Sequence, residues 1–329
     1  MGKVRWGVLG TASIALNKVI PALKRSEHCD VVALASRQLP RAVTASESLS
    51  IAKAYGAYEQ LLADPDVEAV YIPLPNHLHV PWSLKALAAG KHVLCEKPIA
   101  LDAGEAEELL TASRRFPRLK LMEAFMYRHH PQWVRARQLI EQGAIGELKT
   151  VHSFFSYFND NPDDIRNQPA LGGGGLMDIG CYPVSLSRWL FQRQPWRVIA
   201  SVEYDRRFRV DQLTSALMDF GDASATFTCS TQLVPHQRVA VYGTTGRIEI
   251  EIPFNAPPDR PCRMWVETQG GSEQVVLDVC DQYTVQGDLF ARAIRDDAPV
   301  PTPPEDAVGN MRVIDALFRS ARNGNWEMP

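Results

Sequence analysis

The chain opens on an apolar run, Val4-Arg5-Trp6-Gly7-Val8-Leu9, that stops at Gly10 and passes into a helical stretch ending near Lys24. The same alternation recurs. Val31-Val32-Ala33-Leu34-Ala35 precedes a helix over 40–49, the stretch 54–58 makes a short strand or turn, and a short helix ends at Asp64-Pro65. Ala69-Val70-Tyr71-Ile72 runs into Pro73-Leu74-Pro75-Asn76-His77, and a helix over 81–89 is stopped by Gly90. His92-Val93-Leu94-Cys95 exits into Glu96-Lys97-Pro98, and Asp102 caps a helix reaching Arg115. The run 119–126 is a sixth strand, and a helix over 133–142 leads out of this half. Short apolar runs closed by turn residues are buried parallel strands. Alternating with helices of this length, they build βαβ units.

From Leu148 the pattern changes. One long strand covers Leu148–Phe158, and further strands fall over 197–208, 215–220, Ser224–Ser230, 237–242 and 246–252. Gly221-Asp222 and Thr244-Thr245-Gly246 supply turns between antiparallel neighbours. Polar and apolar residues alternate along 245–252, the mark of a sheet with one wet face. After a proline-rich stretch come helices over 281–296 and Pro304–Asn323, the last with Ala307, Met311, Ile314, Leu317 and Phe318 on one face. The fold expected is an α/β Rossmann domain over 1–124, followed over 125–329 by an α+β domain with a large, mainly antiparallel open sheet. The outer face of that sheet is a candidate homodimer surface. The last helix is expected to pack near the domain boundary.

A length of 329 residues suits about two domains. The net charge of −3 carries no nucleic-acid footprint, and no run approaches membrane-spanning length. The N-terminus enters a strand at once, without a signal-peptide core. Six cysteines are scattered with no CxxC, which fits reduced thiols in a cytoplasmic protein and no zinc site.

The candidate chemistry lies at the strand exits, where open α/β sheets bind ligands. Gly10-Thr11-Ala12-Ser13-Ile14-Ala15 matches G-x-G-x-x-G/A with Ala12 at the second glycine, and the helix N-terminus offers N–H groups to a pyrophosphate. Alone it equally describes a plain strand–turn–helix. At the second exit, Ser36-Arg37 stands where an NAD-preferring fold has an acid, with Arg41 nearby. Arg37 suits a 2′-phosphate, so NADP(H) is expected over NAD(H); the other reading is a solvated surface arginine. His77-x-His79 has no third ligand at a recognisable spacing, so hydrogen-bonding histidines are expected rather than a metal. In the second half, four glycines, Gly172 to Gly175, lead into a helix on which Asp178 and Tyr182 share a face. They either let a ligand approach closely or form a flexible lead-in capped by Asp178.

With these residues in view, the chain resembles the glucose–fructose oxidoreductase and inositol dehydrogenase (Gfo/Idh/MocA) family. The likeness rests on the Gly10-x-Ala12 turn, Pro73-Leu74-Pro75-Asn76-His77, Glu96-Lys97-Pro98, and the stretch from Gly173 to Tyr182. Inositol-dehydrogenase-like members have histidine four places after the aspartate. Tyrosine there is similar to the branch of NADP-dependent aldose dehydrogenases, dihydrodiol dehydrogenases and sugar ketoreductases. The resemblance implies Lys97 and Tyr182 in the chemistry and no metal. It implies a cofactor site including Leu74, Pro75, Asn76, His79, Glu96 and Lys97, and substrate contacts from Lys97, Tyr127, Arg128, Arg166, Asp178 and Tyr182. A cis Lys97–Pro98 peptide is also expected.

The chemistry is consistent with this. Moving a hydride from a carbinol to nicotinamide leaves a hydroxyl proton to be removed. Tyrosine has a pKa of about 10, which a neighbouring ammonium lowers. Lys97 can supply that charge, and Asp178 can orient a hydroxyl and hold Lys97 protonated. The leading reading is an NADP(H)-dependent oxidoreductase on a sugar or cyclic polyol, with oxidation of an aldose at C1 to a lactone in view. The alternatives are a ketoreductase on a nucleotide-linked deoxysugar and, in another class, a non-catalytic dinucleotide and sugar sensor. The partners expected are a small-molecule substrate and further copies of the chain.

Overall fold

Six apolar runs become one parallel sheet in the computed structural model, which describes residues 2–329. They are β1 (Val4–Leu9), β2 (Cys29–Ala35), β3 (Lys53–Tyr55), β4 (Ala69–Ile72), β5 (His92–Cys95) and β6 (Leu121–Glu123). Between them run α1 (Ile20–Arg25), α2 (Leu39–Ser48), α3 (Tyr58–Leu62), α4 (His79–Ala88) and α5 (Ala103–Ser113). The strand order is β3-β2-β1-β4-β5-β6, that of a dinucleotide-binding doubly wound sheet. All four residues of β4 are buried, because helices cover both faces of such a sheet. The side chain of Asp102 accepts from the Glu105 N–H and caps α5.

The chain divides into two compact units, one running to Met126 and adding Tyr283–Val308, the other Tyr127–Gln282 with Gly309–Pro329. A single cut after residue 124 misses that return. Within the first unit, α8 (Gln282–Arg295) lays Phe290 against Trp6, with ring centroids 5.5 Å apart. Arg295 reaches Glu68 through both terminal nitrogens at 2.8 Å. Helical periodicity announces α8, but not which core its apolar face joins.

The second unit contains α6 (Pro131–Glu141), β7 (Leu148–Phe158), α7 (Cys181–Phe191), β8 (Arg197–Tyr204), β9 (Asp211–Asp219), β10 (Ser224–Ser230), β11 (Gln232–Gly243), β12 (Arg247–Ile250), β13 (Cys262–Thr268) and β14 (Gly271–Leu277). The last helix, α9, spans Pro304–Asn323. The eight strands lie in the order β14-β13-β12-β11-β7-β10-β9-β8. Only β7 and β10 pair parallel; the other neighbours are antiparallel. Val151, Ser153 and Phe155 point inward along β7, while His152 and Phe154 point outward. The hairpin β13–β14 is absent from the sequence reading, and the strand expected over 197–208 ends at Tyr204. Among the described residues, no helix is long and apolar enough to cross a membrane.

Candidate active site

The sequence-predicted residues fall into two groups, one in each unit. In the first unit, Gly10 follows β1 with φ +117°, a conformation that favours glycine. A side chain there would also press on Leu74. Thr11 and Ala12 lead into a helix that begins at Ser13 and passes into a π-helical turn, Ala15–Val19. The first N–H groups of a helix at a strand-to-helix turn fit a pyrophosphate. Ser36 is buried and accepts from the Gln38 N–H, while Arg37 and Arg41 are exposed. Arg37 neighbours Tyr58, whose pKa is pushed up by burial and drawn back by the guanidinium. The hydroxyl lies close to Gly10.

At the next two exits the structure refines the expected roles. His79 is fully buried, with Nδ1 2.7 Å from the Pro98 carbonyl and Nε2 2.7 Å from the Leu74 carbonyl. Two carbonyls favour a doubly protonated ring and burial opposes it. Burial prevails, and the pKa is pushed down to about 4. His79 therefore ties together the two loops carrying Leu74-Pro75-Asn76 and Glu96-Lys97. Its ring nitrogens are not directed at a ligand. Neither is Oε1 of Glu96, which accepts from the buried Tyr71 hydroxyl at 2.7 Å. Burial, with the neighbouring Glu96 charge, raises the Tyr71 pKa and keeps the proton on the phenol. Pro75, Asn76 and Lys97 are half-buried, and the Lys97–Pro98 peptide is cis.

In the second unit, a π-helical turn, Leu176–Gly180, runs directly into α7. Such insertions are frequent at functional sites. Asp178 lies within the turn, and its Oδ2 accepts from Tyr157 Oη at 2.6 Å and Arg166 Nε at 3.0 Å. The aspartate thus joins Arg166, as its countercharge, to a tyrosine that sequence reasoning missed. Burial and the Asp178 charge raise the Tyr157 pKa, so that phenol is a donor. Tyr182 is buried among aromatic rings, with centroids 5.7 Å from Tyr127, 5.7 Å from Phe155 and 5.3 Å from Phe254. Tyr127 and Arg128 are buried as well, and both reach Ser185, three residues beyond Tyr182. The Tyr127 hydroxyl is 2.8 Å from Ser185 Oγ, and Arg128 Nη2 donates to the same atom at 2.7 Å. These polar ends hold α7.

The glycines also acquire a reason. Gly172 and Gly174 have φ of +80° and +118°. A methyl on Gly173 would strike the backbone of Arg166, and one on Gly174 would strike the Asp211 carboxylate. Protein packing, not approach to a ligand, excludes side chains here. Sequence reasoning also missed Tyr58, Tyr71, Ser185 and Asp211. Of these only Ser185 leaves a local signal, being one helical turn after Tyr182.

The family described as "Oxidoreductase family, NAD-binding Rossmann fold" matches residues 4–123, and "GFO/IDH/MocA C-terminal domain" matches 133–249. The chain is 43% identical over 333 residues to an uncharacterized oxidoreductase of Rhizobium meliloti, covering 99% of each. It is 40% identical to an NADP(+) D-xylose 1-dehydrogenase of Haloferax volcanii, covering 97% of this chain and 98% of the other. A 3-ketoreductase from Actinomadura kijaniata, solved with NADP and TDP-benzene, is similar with a TM-score of 0.91 and 33% identity, over 97% of this chain and 98% of that one.

Proposed function

The chain belongs to the Gfo/Idh/MocA oxidoreductase family, and from that premise we propose that it moves a hydride between NADP(H) and a carbinol or carbonyl carbon of a sugar or cyclic polyol. The observation that carries the reading is the pair of built strand and helix entries: a strand-to-helix turn after β1 with Gly10 at positive φ and Arg37 just past the end of β2, and Asp178 one turn ahead of Tyr182. Thr11 to Ile14 would hold the pyrophosphate, Arg37 with Arg41 the 2′-phosphate, and Pro75 and Asn76 would border the nicotinamide. When bound, NADP⁺ supplies the hydride acceptor. The remaining task is a proton, which we assign to Tyr182, with Lys97 as the charge that favours the phenolate. Arg166 and Tyr157 fix Asp178 for a substrate hydroxyl. Similarity to a xylose dehydrogenase supports aldose oxidation. Similarity to a 3-ketoreductase supports a second reading, reduction of a nucleotide-linked ketosugar.

Purified protein incubated with NADP⁺ against aldoses and inositols, and with NADPH against a nucleotide-linked ketosugar, tests this directly. Turnover in one arm is expected; none in either, with NAD(H) also inert, overturns it. Tyr182→Phe should lower kcat by roughly 10²–10⁴ with NADPH affinity unchanged. Lys97→Met should do comparable damage, and the double variant should be little worse than either, because groups acting as a unit do not add. A Tyr182→Phe enzyme with intact kcat sinks the assignment.

We also infer a homo-oligomer in the cytoplasm. Six cysteines that form no disulfide among the described residues suit a reducing compartment. The outer face of the large sheet carries an apolar hollow including Phe154, Ile199, Leu217 and Ala240, a surface suited to a second copy. Sedimentation should give a dimer or larger assembly, and Leu217→Arg should shift it toward monomer.

A further inference from the structure

Asp211 opens β9 and is 2% exposed. Its Oδ2 accepts from the Leu176 N–H at 2.5 Å and the Thr214 hydroxyl at 3.3 Å. These partners are a backbone amide and a hydroxyl, not a cation. Burying a carboxylate this way is costly, and the pKa is pushed up to about 7 against the pull of those donors. The approach is close enough to dictate sequence. Gly174 can have no side chain because the Asp211 carboxylate fills that space, and a methyl on Gly175 would stand 3.3 Å from the Asp211 carbonyl. The carboxylate therefore engages the first N–H of the π turn in which Asp178 lies and from which α7 carries Tyr182.

We propose that Asp211 is a positioning residue for the reaction, which by clamping the Gly174–Leu176 backbone to β9 sets the placement of Asp178 and Tyr182. A helix entry of three glycines has little conformational preference of its own, so a fixed anchor must come from outside the segment. The carboxylate is suited to this because it takes an N–H and a hydroxyl donor at once and answers the partial positive charge of the helix entry. The proposal rests on the role given above to Tyr182.

The test uses the full chain with Asp211→Asn, which keeps the shape and one acceptor oxygen, and Asp211→Ala, which keeps neither. Active sites are counted by NADPH binding, so that kcat is expressed per folded molecule. The expectation is a loss in kcat of about tenfold for Asn and up to ~10²-fold for Ala, the scale of an ångström-level misplacement. NADPH affinity should stay at the wild-type value. Amide exchange should quicken over 174–182. In a Tyr182→Phe background, Asp211→Asn should remove little more. Unchanged kcat per site with only a lowered melting temperature makes Asp211 a purely structural residue and overturns the proposal. So does an undiminished Asp211→Asn effect in the Tyr182→Phe background. Should Tyr182→Phe alone be harmless, the function assigned to Tyr182 fails. Exchange then decides for Asp211: quickened over 174–182 sustains the clamp, unchanged ends it. If the Ala variant does not fold, Asp211→Asn and the milder Thr214→Val carry the same comparisons.

Discussion

At the end of β2 a guanidinium stands where NAD-preferring sheets carry a carboxylate. The 2′-phosphate of NADP needs a cation there, whereas the ribose hydroxyl of NAD has no use for one. Removing one charge-assisted hydrogen bond costs about 1.5–3 kcal/mol. Arg37→Ala should therefore weaken NADPH binding roughly tenfold or more and leave NADH nearly unaffected in fluorescence titrations. Equal wild-type affinity for the two cofactors defeats the idea. Arg37 was legible because it sits at a strand exit identifiable from the apolar run before it. Its neighbour Tyr58 was not, nor were Tyr71 beneath Glu96 and Tyr157 beside Asp178. Each comes from about 20 or more positions away in sequence and lies in an apolar or alternating pattern that explains it without the contact. His79, Tyr127 and Arg128 show the converse. Their chemistry is evident from residue type, but burial turns it on the Leu74 and Pro98 carbonyls and on Ser185.

The elements that could be read were those with a strong local period or a capped end, among them β7, β10, α9 and the Asp102-capped α5. The hairpin β13–β14 could not. Strand β14 is the sheet edge and is wet on both faces, so it has no alternation to read. The parallel pairing of β7 with β10 is likewise a decision between distant segments. The return of α8 to the first unit is the most consequential of these hidden relations, and Phe290 is its anchor. Phe290 and Trp6 are both fully buried. Phe290→Ala leaves a cavity against the indole and should destabilise the fold by about 3–5 kcal/mol. Denaturant unfolding should show this loss, with the fluorescence of Trp6 exposed earlier. A change under about 1 kcal/mol would mean that α8 contributes little to that core.

Across the molecule, four histidines, His79, His92, His129 and His130, are each pushed by burial to a pKa of about 4. Their unfolded value is about 6.5. Between these limits the folded chain keeps the rings neutral and the unfolded chain protonates them, so unfolding takes up protons. Stability contributed by the neutral rings is present above about pH 6.5 and is lost as the pH falls toward 4. Asp211 acts in the opposite sense. With its pKa pushed up to about 7, it is protonated in the folded state through the same window and ionised in the unfolded one. Four groups against one leave a net uptake of up to three protons (4 − 1). Each net proton is worth about 1.4 kcal/mol per pH unit. Glu68, held down to about 2 by Arg295, adds its own loss only as the pH falls below its unfolded value of about 4.5. The unfolding free energy should thus drop by at least ~1.4 kcal/mol between pH 6 and pH 5, measured by urea titration at fixed ionic strength. His79→Gln should reduce that slope by about one proton, at some cost to stability at pH 7 because the bridge between the Leu74 and Pro98 carbonyls is weakened. A stability curve that is flat or rising as the pH falls through this window would show that the histidines are not held neutral in the fold.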